Sequence, residues 1–137
     1  MTAKEYLSQA YRLDQRINSK IEQVASLNGL AVKCTSAITG MPHNPNRSDS
    51  MANAIAKIVD LQEQINRDID SLVDLKAEII GVIKAVDDTE CQTLLEKRYL
   101  CFQPWEQIAV DMGYTIDNVF KVHKKALSGI RIPATLQ

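Results

Sequence analysis

The chain of 137 residues is poor in the residues that usually build catalytic and metal sites, with five glycines, three cysteines and two histidines. Neither a His-x-x-x-His nor a Cys-x-x-Cys pair occurs, and the cysteine spacing fits neither a disulfide framework nor a zinc site. A glycine-rich phosphate loop and a nucleophile elbow are also missing. These absences argue against an enzyme and predict neither a metal ion nor another cofactor.

Long apolar runs and a strong net charge are missing too. No stretch approaches the roughly 18–20 consecutive apolar residues of a membrane span, and the first residues lack the apolar core of a signal peptide. We therefore expect a cytoplasmic protein with no membrane partner. The formal net charge of -1 excludes a histone-like protein that coats nucleic acid by charge alone. It leaves room for a local basic patch.

The first segment of the chain is predicted to be a helix over residues 2–32. Apolar residues recur there at spacings of three and four from Tyr6 to Val24, which places them on one stripe. Thr2 and Glu5 match a capping box, in which each side chain accepts a hydrogen bond from the other residue's backbone N–H.

Residues 34–50 are rich in proline, glycine and small polar residues, which predicts a loop. Residues 50–86 then form the longest periodic segment, close to a heptad pattern over about five repeats. A helix of this length cannot bury its apolar stripe against one small domain. It needs the N-terminal helix folded back against it, a second chain, or both.

Three shorter helices are predicted within residues 87–130, followed by a tail at 131–137. Thr89 and Gln92 suggest a second capping box. Pro104 is predicted to be the first residue of the next helix, a position to which proline is suited. The fold class is therefore all-α, with a coiled-coil-like antiparallel hairpin over 1–86 preceding this C-terminal unit. The three helices are expected from Thr89 to about Tyr99, from Pro104 to Met112, and from Thr115 to Leu127 or Ser128.

Residues 105–122 meet the steric requirements of a helix-turn-helix. Ala109 supplies the small residue at which the second helix crosses closely, and Gly113 supplies the left-handed turn four residues later. Apolar residues at the expected offsets would lock the two helices together: Ile108, Met112, Tyr114, Val119 and Val122.

In such a unit the second helix enters the major groove of DNA. Residues 115–131 carry four basic residues against one acidic residue, a net charge of +3. If Val119, Val122 and Ala126 point inward, the candidate DNA-binding residues are Thr115, Ile116, Asp117, Asn118, Phe120, Lys121, Lys124 and Lys125.

Their chemistry suggests a division of labour. Lys124 and Lys125 are expected to contact phosphates and so position the helix. Asn118 and Lys121 are able to hydrogen-bond base edges.

The apolar members of the set, Phe120 and Ile116, are candidates for contact with a thymine methyl group. Asp117 has two open interpretations, since it could accept from a cytosine amine or help to cap the helix.

Four ring-bearing residues are interpreted as packing residues. Tyr99, Phe102 and Trp105 are expected to pack the third helix against the fourth rather than stack on bases. His123 is expected to pack between helices or to lie near a phosphate, rather than to act as a pH switch.

Three segments of the C-terminal unit resemble region four of bacterial sigma factors, namely 94–100, 105–109 and 115–127. Nearly the whole chain is similar to an uncharacterised family of phage- and mobile-element-encoded proteins of Gram-positive bacteria, through 4–7, the Thr35-Ser36 loop and 58–76. It is similar, more distantly, to ArpU-type phage late-transcription regulators. The resemblance implies binding to double-stranded promoter DNA, with RNA polymerase as a further candidate partner. No segment resembles the sigma region that melts DNA, so a complete sigma factor is not expected.

The expected function is sequence-specific DNA binding in transcription regulation, with the helical arm forming a homodimer or contacting polymerase. Charge is distributed accordingly, at +2 over 1–50, −5 over 51–90 and +2 over 91–137. The acidic arm is either a solvated face or a surface for a basic partner. Two alternatives stay open, an adaptor or anti-repressor that binds protein only, and a small terminase subunit for DNA packaging.

Overall fold

The computed structural model describes residues 1–38 and 45–133, and helices are the only regular secondary structure in those two ranges. The prediction of an all-α protein is confirmed at this level. The elements are α1 (Ala3–Ile38), α2 (Pro45–Lys84), α3 (Thr89–Leu95), a π-helical turn (Glu96–Leu100), α4 (Trp105–Met112) and α5 (Ile116–Ser128).

The first two helices are longer than the sequence pattern predicts. The loop predicted for 34–50 is wrong at both ends, because α1 continues to Ile38 and α2 already begins at Pro45. Threonine, serine and alanine do not stop a helix as glycine does, and proline is favourable in a first helical turn. Residues 39–44 of the predicted loop lie outside the described residues.

The capping box at the start of α1 is confirmed. The backbone N–H of Glu5 donates to Thr2 Oγ1 at 3.1 Å, and the backbone N–H of Thr2 donates to the Glu5 carboxylate at 3.2 Å. Two of the N–H groups that a helix start leaves free are thereby satisfied.

The helices form two compact units, which do not follow the order of the chain. One unit, called the head, comprises Met1–Leu13 and Leu72–Gln137, and the other, called the arm, comprises Asp14–Ser71. Helices α1 and α2 each contribute to both.

The core of the head joins three parts of the chain. Residues from the start of α1 and the end of α2 pack in this core with residues of the C-terminal helices. Burying each large apolar side chain stabilises the fold by about 1.5–3 kcal/mol. The buried members are Tyr6, Leu7, Ala10, Ile79, Ile83, Val86, Cys91, Leu95, Tyr99 and Ala126.

In the arm, the apolar stripes are only partly buried. Ile17 of α1 and Ile65 of α2 are buried, and Lys20 Nζ lies 2.6 Å from an Asp68 carboxylate oxygen. Ile21 and Ile55, which belong to the same predicted stripes, are 49% and 48% exposed. The contacts within the arm therefore leave apolar surface uncovered.

The start of α3 differs from its prediction. Asp88, not Thr89, is the N-cap, and its carboxylate accepts from the Glu90 N–H at 2.9 Å. The Gln92 side chain donates to the backbone oxygen of Val86. The predicted Thr89–Gln92 capping box is wrong because aspartate, itself a strong N-cap residue, stands one position earlier.

A π-helical turn follows α3 where the sequence predicts continuous α-helix to Tyr99. The backbone N–H of Cys101 donates to the Glu96 oxygen, five residues earlier, at 3.0 Å. Such turns are rare and are frequently found at functional sites. Here the turn carries Arg98 and Tyr99.

Candidate nucleic-acid interface

The connection between α4 and α5 has the backbone geometry that the sequence predicts. Gly113 is left-handed, with φ 71° and ψ 31°, and the backbone N–H of Tyr114 donates to the Ala109 oxygen at 2.9 Å. Thr115 caps α5, since its Oγ1 accepts from the Asn118 N–H at 3.2 Å. Pro104 is the residue before α4 rather than its first residue. The left-handed glycine and the threonine cap are confirmed.

A second cluster of apolar side chains fixes the angle between these helices. Leu94 of α3, Ile108 and Ala109 of α4, and Val119 of α5 are buried together. Trp105, Met112, Tyr114 and Val122 pack around them as partly buried neighbours. Helix α5 therefore has a fixed apolar side, which determines what its other side presents.

All eight predicted DNA-binding residues are exposed, including Ile116 at 37% and Phe120 at 46%. Because each residue of an α-helix turns by about 100°, Asp117, Lys121 and Lys124 lie opposite the buried side of α5. Two pairs flank this strip: Ile116 and Phe120 on one side, Asn118 and Lys125 on the other.

Lys125 is already engaged within the head. Its ammonium group lies 3.0 Å from an Asp88 carboxylate oxygen. The hydrogen bond between them raises the pKa of Lys125 and lowers the pKa of Asp88. Lys125 would have to leave this carboxylate to contact a phosphate. Among the described residues, Lys121 and Lys124 form no such ion pair.

Trp105 connects α4 to α5 as well as to the π-helical turn. Its ring meets the Phe120 ring edge-on, with centroids 5.4 Å apart, and lies 4.5 Å from the His123 ring. The Arg98 guanidinium sits 4.4 Å from the same indole. The prediction that Trp105 packs α4 against the preceding helix therefore misses its contacts with α5.

His123 is held between the helices. Its Nε2 lies 2.6 Å from the Tyr99 hydroxyl. Burial, with the positive charges of Lys4 and Arg98, lowers the pKa of His123 to about 4, and burial raises the pKa of Tyr99 to about 12. Both groups are neutral near pH 7, which suits a bond donated by the hydroxyl to the imidazole. Of the two predicted roles, these contacts match helix packing.

The described part of the chain also bears on the presence of metal sites, reactive thiols and membrane spans. No group of three or more His, Cys, Asp or Glu side chains there could hold a metal ion. Cys91 is buried and Cys101 is exposed, both as free thiols. No helix within the described ranges is long and apolar enough to cross a membrane.

The sequence interpretation missed Lys4 and Arg98. Both influence His123, yet they stand far apart in the sequence, and no spacing rule connects them. The sequence predicts the aromatic residues near Arg98 only as packing residues.

Comparisons with known proteins add no relative to this description. No family model matches the chain, and neither a curated protein nor a solved structure shows significant similarity to it.

Proposed function

We propose that this protein is a sequence-specific, double-stranded-DNA-binding regulator of transcription, encoded by a phage or mobile element. In this proposal α4 and α5 form a helix-turn-helix and α5 enters the major groove. The observation that carries it is the combination of a left-handed Gly113 with an α5 whose polar side is wholly exposed. The resemblance of 94–127 to sigma region four supports the same function.

The charges on α5 support sequence-specific rather than non-specific binding of DNA. Lys121 and Lys124 point away from the core without carboxylate partners in the described residues, so both are available to phosphates or bases. Asp117 on the same strip weakens non-specific attraction. Ile116 and Phe120 are able to make favourable apolar contacts only with bases that carry a methyl group in the major groove, namely thymine.

The uncovered side of α2 supports a homodimer. Within the arm, Ile55, Val59 and Ile69 are each 41–48% exposed, and at about 100° per residue they share one face of the helix. Apolar faces of this kind are usually covered by a partner. A two-fold dimer would present two copies of α5 to half-sites a helical turn or more apart.

A selection from a random double-stranded DNA library tests the proposal. We expect enrichment of one motif, with two half-sites if the protein binds as a dimer, and saturable binding that weakens as salt increases. The proposal fails if no DNA, including the protein's own upstream region, binds above background at low salt. Binding to purified RNA polymerase without DNA would instead support the adaptor function.

Variants separate the two kinds of DNA contact. Lys121→Gln should reduce discrimination between the motif and unrelated DNA, whereas Lys124→Gln should weaken both and lower the salt slope by about one. Lys57→Gln, an exposed change in the arm, is the matched control and should leave both affinities unchanged. A ring of eight or more subunits by light scattering would favour the packaging function.

A further inference from the structure

A cleft in the head combines positive charge with aromatic walls. Its volume is about 290 Å³, close to the lower end for small-molecule sites. Lys4, Ser8 and Tyr11 of α1 line one side, and Arg98, Phe102 and Trp105 line the other. The cleft belongs to the head alone, and none of its lining residues is on α5.

Two cations face this cleft without carboxylate partners among the described residues. The Arg98 guanidinium lies against the Trp105 ring and donates one hydrogen bond to the Gln103 backbone oxygen, 3.0 Å away. Lys4 is exposed. Both side chains line the same cleft, and both positive charges add to the effect of burial in lowering the pKa of His123. A ligand with negative charge would relieve their mutual repulsion.

The backbone departs from regular geometry at the same place. Arg98 and Tyr99 lie on the π-helical turn, and Phe102 is the one residue other than glycine with a positive φ, 57°, in the described part of the chain. Aromatic residues rarely adopt this conformation, and strained residues concentrate at ligand sites. Here it places the Phe102 ring edge-on to Tyr11, with centroids 5.5 Å apart, so that both rings form the wall of the cleft.

We infer that this cleft binds a small anionic aromatic molecule, a planar ring carrying a phosphate or carboxylate group. Lys4 and Arg98 hold the anionic group through charge-assisted hydrogen bonds. Tyr11, Phe102 and Trp105 surround the ring, where edge and face contacts between aromatic groups are favourable. The Ser8 hydroxyl provides a further donor at the edge of the site.

The site does not depend on the proposed function, because no part of the inference uses DNA. It is tested without DNA through Trp105, which is the single tryptophan of the chain. Tryptophan fluorescence therefore reports on the wall of the cleft directly. Four probes separate the contribution of the aromatic ring from that of the negative charge: phenyl phosphate, benzoate, inorganic phosphate and the uncharged benzamide.

Phenyl phosphate and benzoate are expected to change the fluorescence saturably, with millimolar dissociation constants that are typical of fragments of this size. Inorganic phosphate should bind about tenfold more weakly, because it lacks the ring. Benzamide should not saturate. Equal affinity for inorganic and phenyl phosphate, or no saturable change with either aromatic anion, overturns the inference.

Lys4→Gln should weaken phenyl phosphate by about tenfold, the loss expected for one charge-assisted contact. Arg12→Gln is its control, since it removes an exposed charge from the same helix but does not line the cleft. Equal weakening by both variants would mean general charge attraction and would refute the site.

A second measurement needs no variant. The bound anion should raise the pKa of His123, which is followed through its imidazole NMR signals at saturating phenyl phosphate. An unchanged His123 titration would place the ligand elsewhere and contradict the inference.

Discussion

Among the described residues of the head, two have left-handed backbone, and they differ in how they tolerate it. Gly113 has no Cβ, so its φ of 71° carries little steric penalty. Phe102 at φ 57° is strained, and contacts around its ring hold it in place. The Tyr11 ring meets it edge-on, and Lys76 Nζ lies 4.6 Å from its centroid. One conformation is intrinsic to the residue, and the other is imposed by its neighbours.

Replacing Gly113 tests the turn between α4 and α5. Gly113→Ala should lower the free energy of unfolding by about 1–2 kcal/mol, since an L-residue is unfavourable in this conformation. An added Cβ would meet nothing within 4 Å, so the loss is one of backbone alone. Urea unfolding measures it.

Gly81→Ala is the matched control. It also meets no atom within 4 Å, but it stands inside the helix α2, where alanine is more favourable than glycine by up to about 1 kcal/mol. The two substitutions should therefore change stability in opposite directions. The same sign for both would show that the φ of Gly113 is not what constrains it.

The neutral imidazole of His123 makes stability depend on pH. The unfolded chain protonates this residue near its usual pKa of 6.5, whereas the folded protein does so only near 4. Between these values the unfolded state binds more protons, so the free energy of unfolding should decrease as pH falls through this window. His123→Gln keeps an acceptor for the Tyr99 hydroxyl and should remove this contribution.

The measurement is the difference in stability between the wild type and His123→Gln at several pH values, which cancels the titration of the carboxylates they share. As the pH falls from 6.5 to about 4, the wild type should lose stability relative to His123→Gln. Parallel curves would mean that His123 titrates alike in both states.

At the scale of elements, the ends of helices depend on few groups. Asp88 begins α3 and also binds Lys125 of α5, so one carboxylate caps one helix and ties it to another. The substitution Asp88→Asn would keep the capping oxygen without the charge, which allows the two roles to be separated.

We expect Asp88→Ala to lower the melting temperature more than Asp88→Asn, because only alanine removes the acceptor for the Glu90 N–H. The smaller effect of Asp88→Asn should disappear when Lys125 is already replaced by glutamine, since the partner of the lost charge is then missing. Thermal unfolding followed by circular dichroism measures both. Equal effects of alanine and asparagine would contradict a capping role.

Some of these elements are predictable from the sequence and others are not. The Thr2–Glu5 box, the Gly113 turn and the Thr115 cap follow from local chemistry, and all three were predictable. The π-helical turn and the strained Phe102 were not, because contacts with residues far away in sequence stabilise them. The cleft combines Lys4 with Arg98, so it becomes visible only when the start of α1 is packed into the head.

At the scale of the whole molecule, the small net charge and the exposed apolar face of α2 suggest that association precedes tight DNA binding. One α5 carries only two lysines without ion pairs in the described residues. Two copies would double the phosphate contacts and add the second half-site. Oligomeric state and DNA affinity should therefore change together.

The double variant Ile55→Lys with Ile69→Lys should convert a dimer into a monomer. Both side chains are more than 40% exposed, so the fold itself should remain. Sedimentation equilibrium measures the mass. Glu63→Lys, on the polar side of the same helix, changes the net charge by the same +2 and should leave the dimer intact. An unchanged mass in the double variant would exclude this face as the interface.

The π-helical turn is a place where the helix after Asp88 can change its length. A turn closed by bonds to the fifth residue accommodates one residue more than an α-helical turn. Deleting Lys97 would remove that residue and let α-helix continue, with the later side chains near their present places. Deleting Thr93, inside the regular helix α3, would instead rotate every later side chain by about 100°, so that Tyr99 would leave His123 and Arg98 would leave the cleft.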